Sequence, residues 1–273
     1  MTNQTPQTLI DALQQQIDNA PTGFNVAALE KAIKALKAAN PGTPVGDDQV
    51  KIWFLLDRSG SMVHLAEDVI GGFNQFLTEQ GNKPGKAQLT AIQFDGDDPF
   101  EVIFDAQEVA QVPELTSDLY RPRGVTPLYD AIGQVIARAD ARIVDRASQN
   151  QSIEDQLVIV FTDGLENASR NFTRSQIFEL IHDRTDQDWT FVFMGANQDS
   201  YDEGHKIGLV DGNVQNYDSS GESVHHAFYS ISRASSEFRA KPRRQRQEGD
   251  SKKFYRVYKI LFNNMIFIFE KIK

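Results

Sequence analysis

The chain of 273 residues contains no cysteine, which excludes disulfides, zinc–thiolate centres and thiol nucleophiles. Its 40% hydrophobic and 24% charged residues are ordinary for a globular chain with a full core, sized for one or two domains. The net charge of −10 is unevenly held: eleven basic residues face three acidic ones from Arg239 to Lys273, whereas 17 basic face 35 acidic before them. Such asymmetry marks a tail with its own binding role, or one that simply solvates itself or lies on the acidic body.

The opening MTNQTPQTLI lacks the basic and apolar regions of a secretion signal. No stretch reaches the ~18–20 uninterrupted apolar residues of a membrane helix, so the cytoplasm is the expected compartment. Leu9, Ile10, Leu13 and Ile17 recur at helical spacing, and so do Val26, Leu29, Ile33 and Leu36 after an Asn25 cap. With a break at Pro21-Thr22-Gly23 they predict an N-terminal helical hairpin, which packs on its own domain or docks a partner. The linker NPGTPVGDD (40–48) closes this arm, residues 1–48.

From Val50 strands alternate with helices. Lys51–Leu56 reads as a buried strand, and Leu65, Val69, Phe73, Phe76 and Leu77 mark the helix after it. Gly71-Gly72 inside that helix costs about 1 kcal/mol per glycine against Ala, which predicts close packing onto a sheet. AQLTAIQF and FEVIF read as a hairpin around Asp95–Pro99. Leu128, Ile132, Val135, Ile136 and Ala139 make a further helix. QLVIVFTDG is a strand entering a loop, followed by a helix carrying Ile177, Leu180 and Ile181. WTFVFMGANQD is another strand and loop, with a short helix near Tyr201–Ile207, an edge strand in GNVQNY and a last helix over Glu222–Phe238. Near-continuous apolar strands between amphipathic helices predict an α/β fold for residues 49–238. Its sheet is mostly parallel, with helices on both faces and one antiparallel edge strand. In the tail, 239–273, KPRRQRQEGDSKK reads as a polar, disordered segment. FYRVYKILFNNMIFIFEKIK reads as a hairpin, or as a basic amphipathic element for an acidic partner or membrane surface. Nucleic-acid binding by this tail would rest on charge alone.

Sheets of this kind bind ligands beyond the carboxyl ends of their strands. There the chain places Asp57–Ser61 (DRSGS), Thr162-Asp163-Gly164 and Gly195–Asp199, joined by RPRGVTPLYDAI with Thr126 directly before Pro127. Asp57 ends the first strand and is the expected charged anchor, on an edge open to solvent. The candidate ligands are the carboxylates of Asp57 and Asp163 and the hydroxyls of Ser59, Ser61 and Thr126. This hard-oxygen set suits Mg2+, Mn2+ or Ca2+ and disfavours zinc. Two carboxylates with neutral hydroxyls leave a divalent cation short of negative charge, so an acidic group from outside is attracted. The blander alternatives are that Ser61 and Thr126 cap helices, Thr126 with Pro127 at the first helical position, and that Asp163-Gly164 is only a turn.

The Asp-x-Ser-x-Ser run with a distant Thr and a distant Asp resembles the metal-ion-dependent adhesion site of the von Willebrand factor A domain family. The matching residues are Asp57, Ser59, Ser61, Thr126 and Asp163, and the resemblance spans roughly residues 50 to 235. GLEN after Asp163 and the GANQD loop are similar to stand-alone cytoplasmic bacterial members. The resemblance implies a Rossmann-like sheet, a bound Mg2+, and a protein partner whose Glu or Asp completes the coordination. In such bacterial members the partner is often a chaperone-type ATPase.

Enzymatic readings find less support. The position two after Asp57 is Ser59, not the second Asp of a haloacid-dehalogenase-type phosphatase. No Gly-x-Ser-x-Gly elbow and no phosphate-binding Gly-x-x-x-x-Gly-Lys loop occur, and the five histidines show no metal spacing. Asp95, Asp97 and Asp98 of FDGDDPF could hold a second metal but read as a turn. The expectation is therefore a non-enzymatic, metal-dependent interaction module. A metal-dependent hydrolase, or a scaffold oligomerising through arm and tail, are the alternatives.

Overall fold

The computed structural model describes residues 6–18, 49–196, 200–249 and 254–255. Strand β1 (Val50–Asp57) is buried over its whole length. That suits VKIWFLLD, whose apolar and aromatic run has both faces to cover. With β2 (Ala87–Phe94), β3 (Glu101–Glu108), β4 (Asp155–Thr162), β5 (Thr190–Ala196) and β6 (Val214–Tyr217) it forms one sheet, ordered β3-β2-β1-β4-β5-β6. Neighbours pair in parallel except β2 and β3, the expected antiparallel hairpin at the edge. Register aligns Asp57 with Phe94, Leu56 with Phe161, and Thr162 with Gly195. The parallel strands therefore finish along one rim.

Alternation along β1 divides the core. Ile52, Phe54 and Leu56 face one way, towards α2 (Ala66–Gly81) and α6 (Gly221–Ala240); Trp53 and Leu55 face the other, towards α3 (Leu128–Ser148) and α4 (Arg174–Thr185). Ile10 and Leu13 of α1 (Pro6–Asp18) join the second layer, so this part of the arm packs on its own domain. The rest of the predicted hairpin and its linker lie outside the described residues. A short α5 (Ser200–Lys206) follows β5. Among the described residues no helix is long and apolar enough to cross a membrane.

Two expectations are corrected. Gly72 meets the neighbouring helix of its own layer, not the sheet: a Cβ there would collide with the Phe228 ring of α6, while the same atom at Gly71 would meet only His225 Cε1 at 3.6 Å. Nor is the start of the tail the disordered segment that its composition predicts: it lies on the acidic body, as one of the readings had it. Arg243–Gly249 forms α7, and buried Arg246 donates from Nε to Asp155 at 2.6 Å, with Arg243 Nε 3.1 Å from the same carboxylate. Beyond α7, the Phe254 N–H donates to Asn213 Oδ1 and the Tyr255 N–H to the Gly212 carbonyl, and both rings are buried. Composition alone could not reveal this, because the partner carboxylate of Arg246 lies 91 residues away in sequence. Residues 256–273 lie outside the described residues.

Candidate metal centre

Where β1 ends, its loop is stitched to the neighbouring loops through backbone hydrogen bonds. The Arg58 N–H donates to the Phe94 carbonyl (2.9 Å), Gly60 N–H to Gly124 carbonyl (3.1 Å) and Arg123 N–H to Arg58 carbonyl (2.8 Å). Gly124 has φ +69°, a left-handed conformation that side-chain-bearing residues rarely adopt, so glycine is needed where the loops touch. Two buried phenols brace the strand ends: Tyr120 donates to the Asp57 carbonyl and Tyr217 to the Thr162 carbonyl at 2.9 Å. Ser59 then leads into a 3-10 turn, Gly60–Leu65, before α2.

On this frame the five predicted residues converge. Ser59 Oγ lies 3.0 Å from Ser61 Oγ, and Ser61 Oγ donates to Asp163 Oδ1 at 2.6 Å. A Cβ built at Gly164 would stand 2.9 Å from Thr126 Oγ1 and 3.5 Å from Asp57 Oδ2, so those two oxygens face one small space. The expectation of an open edge at Asp57 is corrected: the residue is fully buried. Its Oδ1 accepts from the Ser59 N–H (2.7 Å) and its Oδ2 from Thr162 Oγ1 (2.5 Å). Burial pushes the Asp57 carboxyl up to about 6, against the bonds from Thr162 and Ser59. Burial likewise raises Asp163, against the Ser61 hydroxyl.

The capping alternatives fail for the hydroxyls. Ser59 stands before the 3-10 turn without a side-chain cap bond, and Ser61 is bonded to Asp163 instead. The residue capping α3 is Pro127, not Thr126, again with no side-chain cap bond. Thr126 is held through its backbone, its N–H donating to Asn167 Oδ1 and its carbonyl accepting from the Asn167 N–H. The site offers carboxylate and hydroxyl oxygens with no nitrogen or sulfur among the candidates. The donor set thus fits a small, hard divalent cation.

Asp95, Asp97 and Asp98 are not a second centre. Asp95 is fully buried, takes Arg58 Nε at 2.7 Å, and accepts the N–H groups of Asp97 and Asp98, so it organises the hairpin turn. Although burial opposes it, the Asp98 N–H and the Arg123 guanidinium hold its carboxyl below the ordinary range. In the GANQD loop, residues 197–199 lie outside the described residues.

A family model for the von Willebrand factor type A domain matches residues 51–229. The chain belongs to this family. Domains of the family are generally protein-interaction modules. Among solved structures, the pilus adhesin SpaC of Lactobacillus rhamnosus GG is 15% identical with a TM-score of 0.53, covering 70% of this chain and 30% of its own. Proximal thread matrix protein 1 of the mussel byssus is 15% identical (TM-score 0.49; 78% and 53% covered), and manganese-loaded TRAP of Plasmodium vivax 17% (0.46; 69% and 74%). At these identities the likeness is one of fold. The chain spans about half the length of the mussel protein or less of the adhesin. No curated protein matches the sequence.

Several residues of this A domain support the site without having stood out in the sequence. Thr162, the last residue of β4, bonds Asp57 and, through the same hydroxyl, the Gly164 turn. Glu166 accepts the N–H groups of Tyr129, Ala168 and Ser169, and Asp130 those of Arg170, Asn171 and Phe172, so the 165–172 loop is welded to the start of α3. The sequence carries traces of this in GLEN, in the Asp130 of RPRGVTPLYDAI and in Thr162 before Asp163, none of which the pattern marks as a support.

Proposed function

We propose that this A domain binds a protein partner through a divalent cation, Mg2+ foremost with Mn2+ or Ca2+ as substitutes, at the carboxyl rim of the sheet. Asp57, Ser59, Ser61, Thr126 and Asp163 would hold it, directly or through water. The reading is carried by one observation: the hydroxyls of Ser59, Ser61 and Thr126 cap no helix and instead gather beside buried Asp57 and half-buried Asp163. When bound, the cation supplies an electrophilic centre with a coordination position open to an outside carboxylate. The chain itself provides the rest: Asp57 and Asp163 supply negative charge, the hydroxyls supply neutral oxygens, and Thr162, Asn167 and the two tyrosines hold these groups in place. The function is capture, not catalysis, with a chaperone-type ATPase as one class of partner.

Thermal melting with and without Mg2+ tests this. Ligand binding to the native state alone adds stability by mass action, about 2.7 kcal/mol at a hundredfold excess over Kd. The wild type is expected to gain stability and Asp57→Asn to gain none. Equal stabilisation of both proteins would place the cation elsewhere.

A further inference from the structure

Lys51, the second residue of β1, carries an amine into the interior without a counter-ion of its own. The side chain is fully buried on the Trp53 face of the strand, the face that α3 covers. Its Nζ donates to Thr90 Oγ1 at 2.6 Å and stands 4.7 Å from the Trp53 ring centre. Among the described residues it has no other hydrogen bond and no ion pair. Thr90 is committed as well, its hydroxyl donating to Asp105 Oδ1 (3.3 Å) and accepting the Ala106 N–H (2.9 Å).

The carboxylates around this amine are already taken. Asp105 of β3 is paired with Arg138 at 2.8 Å, and Glu154, just before β4, with Arg142 at 2.6 Å and Arg146 at 3.2 Å. Glu108 of β3 accepts from Nε2 of Gln88, the register partner of Lys51 on β2. The register partner on β4 is Gln156, a neutral side chain engaged with Trp53 Nε1. A buried ammonium in such surroundings is costly, and desolvation drives the group towards its neutral form. Burial first and Arg142 second lower the pKa of Lys51 to about 7. Near neutral pH a large share is therefore free amine, whereas exposed lysines stay protonated.

The same surroundings suit an anion better than a cation. Arg142 commits Nε and Nη2 to Glu154 and Gln88, and among the described residues its Nη1 has no hydrogen-bond partner. The Arg142 side chain is 21% exposed and that of Arg138 41%, so long side chains that reach solvent cover the amine and can yield to a small molecule. We infer that Lys51 is a reversible carbon dioxide site, its free amine adding CO2 to form a carbamate that Arg142 holds. The Nζ lone pair makes the new N–C bond, one C–O π pair of CO2 moves onto oxygen, and a proton leaves Nζ for water. The products are R–NH–COO− and H+. The remaining N–H keeps its bond to Thr90, and the new carboxylate gives Arg142 Nη1 an acceptor. A carbamate here ties β1 to α3, so stability follows dissolved CO2. Lys51 lies at the opposite end of β1 from Asp57, and the site is independent of the cation reading.

The test exposes the full chain to isotopically labelled bicarbonate, at equal dissolved CO2, between about pH 6 and pH 8. Triethyloxonium then ethylates any carbamate irreversibly, and peptide mass spectrometry locates it. Expected is an adduct on the Lys51 peptide that grows with pH as the amine loses its proton. A matching carbamate carbon resonance should vanish in Lys51→Met. Arg142→Gln, in which Arg146 still reaches Glu154, should lower the Lys51 adduct at least about tenfold, since a hydrogen bond to a charged group is lost. The melting temperature should rise with CO2 for the wild type and not for Lys51→Met. Adducts confined to the α-amino group or to exposed lysines would overturn the inference. So would a Lys51 adduct that forms equally in urea-unfolded chain or is indifferent to Arg142→Gln, because the fold would then contribute nothing to it.

Discussion

At the scale of single residues, burial decides the sign of what a substitution does. Asp57 at the end of β1 is wholly inside, bonded on both oxygens. Asp57→Ala therefore leaves the Ser59 N–H short of an acceptor and the Thr162 hydroxyl with only the Gly164 carbonyl, and is expected to cost about 1–3 kcal/mol without metal. Asp57→Asn keeps the shape and removes a buried charge, so its metal-free stability should equal or exceed that of the wild type; urea titrations in chelator separate the two. Lys51 is the opposite case, a cation buried at the start of β1 with its Nζ 2.6 Å from Thr90 Oγ1 and 4.7 Å from the Trp53 ring centre. Burial foremost, helped by Arg142, lowers its pKa to about 7. In the unfolded chain the amine stays protonated to about 10.4, so between about 7 and 10.4 the unfolded state binds more protons and stability climbs with pH. Below about pH 7 both states are charged and the climb is absent. Lys51→Met should flatten this dependence and stabilise the protein by about 1–4 kcal/mol at pH 7, the gain shrinking towards pH 10. Thr90 would keep its bonds to Asp105 and the Ala106 N–H. Urea midpoints at pH 6, 8 and 10 check both statements.

Among elements, the pair α2 and α6 offers the sharpest contrast. Ala is ordinarily a better helix former than Gly by about 0.8–1.0 kcal/mol. Gly71→Ala has room, with His225 Cε1 at an ordinary contact distance, and is expected to stabilise by about that amount. Gly72→Ala would push against Phe228, whose ring is itself fixed between Phe161 (4.7 Å) and Phe54 (6.1 Å). Overpacking of this kind costs about 1–3 kcal/mol, so adjacent, chemically identical changes should shift the denaturation midpoint in opposite directions. Two shifts of the same sign would mean that the helices are not in contact through Gly72.

For the whole molecule, the described part of the basic stretch, 239–249 with Phe254 and Tyr255, belongs to the folded body. Arg239 donates to the Gln80 carbonyl and to the Gly85 carbonyl, Arg246 locks onto Asp155 at the start of β4, and Phe254 packs on Phe238. Breaking a buried pair by removing one partner costs about 3–5 kcal/mol, and Arg246→Met should approach the lower figure because Arg243 still reaches Asp155. A chain ending at Tyr255 keeps every contact described here and is the reference for the shorter one. A chain ending at Phe238 loses them all and should melt earlier or fail to fold. Unchanged melting of the shorter chain would return the tail to the solvated role that its composition suggests.

Sequence alone determined the α/β class and the hairpin at the sheet edge, and it singled out the five candidate oxygen residues as a set, because those rest on local signals. Apolar runs such as WFLL specify buried strands, helical spacing specifies the covers, and Asp-x-Ser-x-Ser places three oxygens on alternate residues of one loop. What only the tertiary structure decided depends on residues that meet across long sequence separations. Gly72 and the last helix, Thr162 beneath Asp57, Asn167 behind Thr126, and Asp155 facing Arg246 are pairings that no periodicity encodes. The same holds for the direction of a hydroxyl: Thr126 before a proline reads as a cap until the loop at Asn167 holds its backbone and Gly164 makes room beside it.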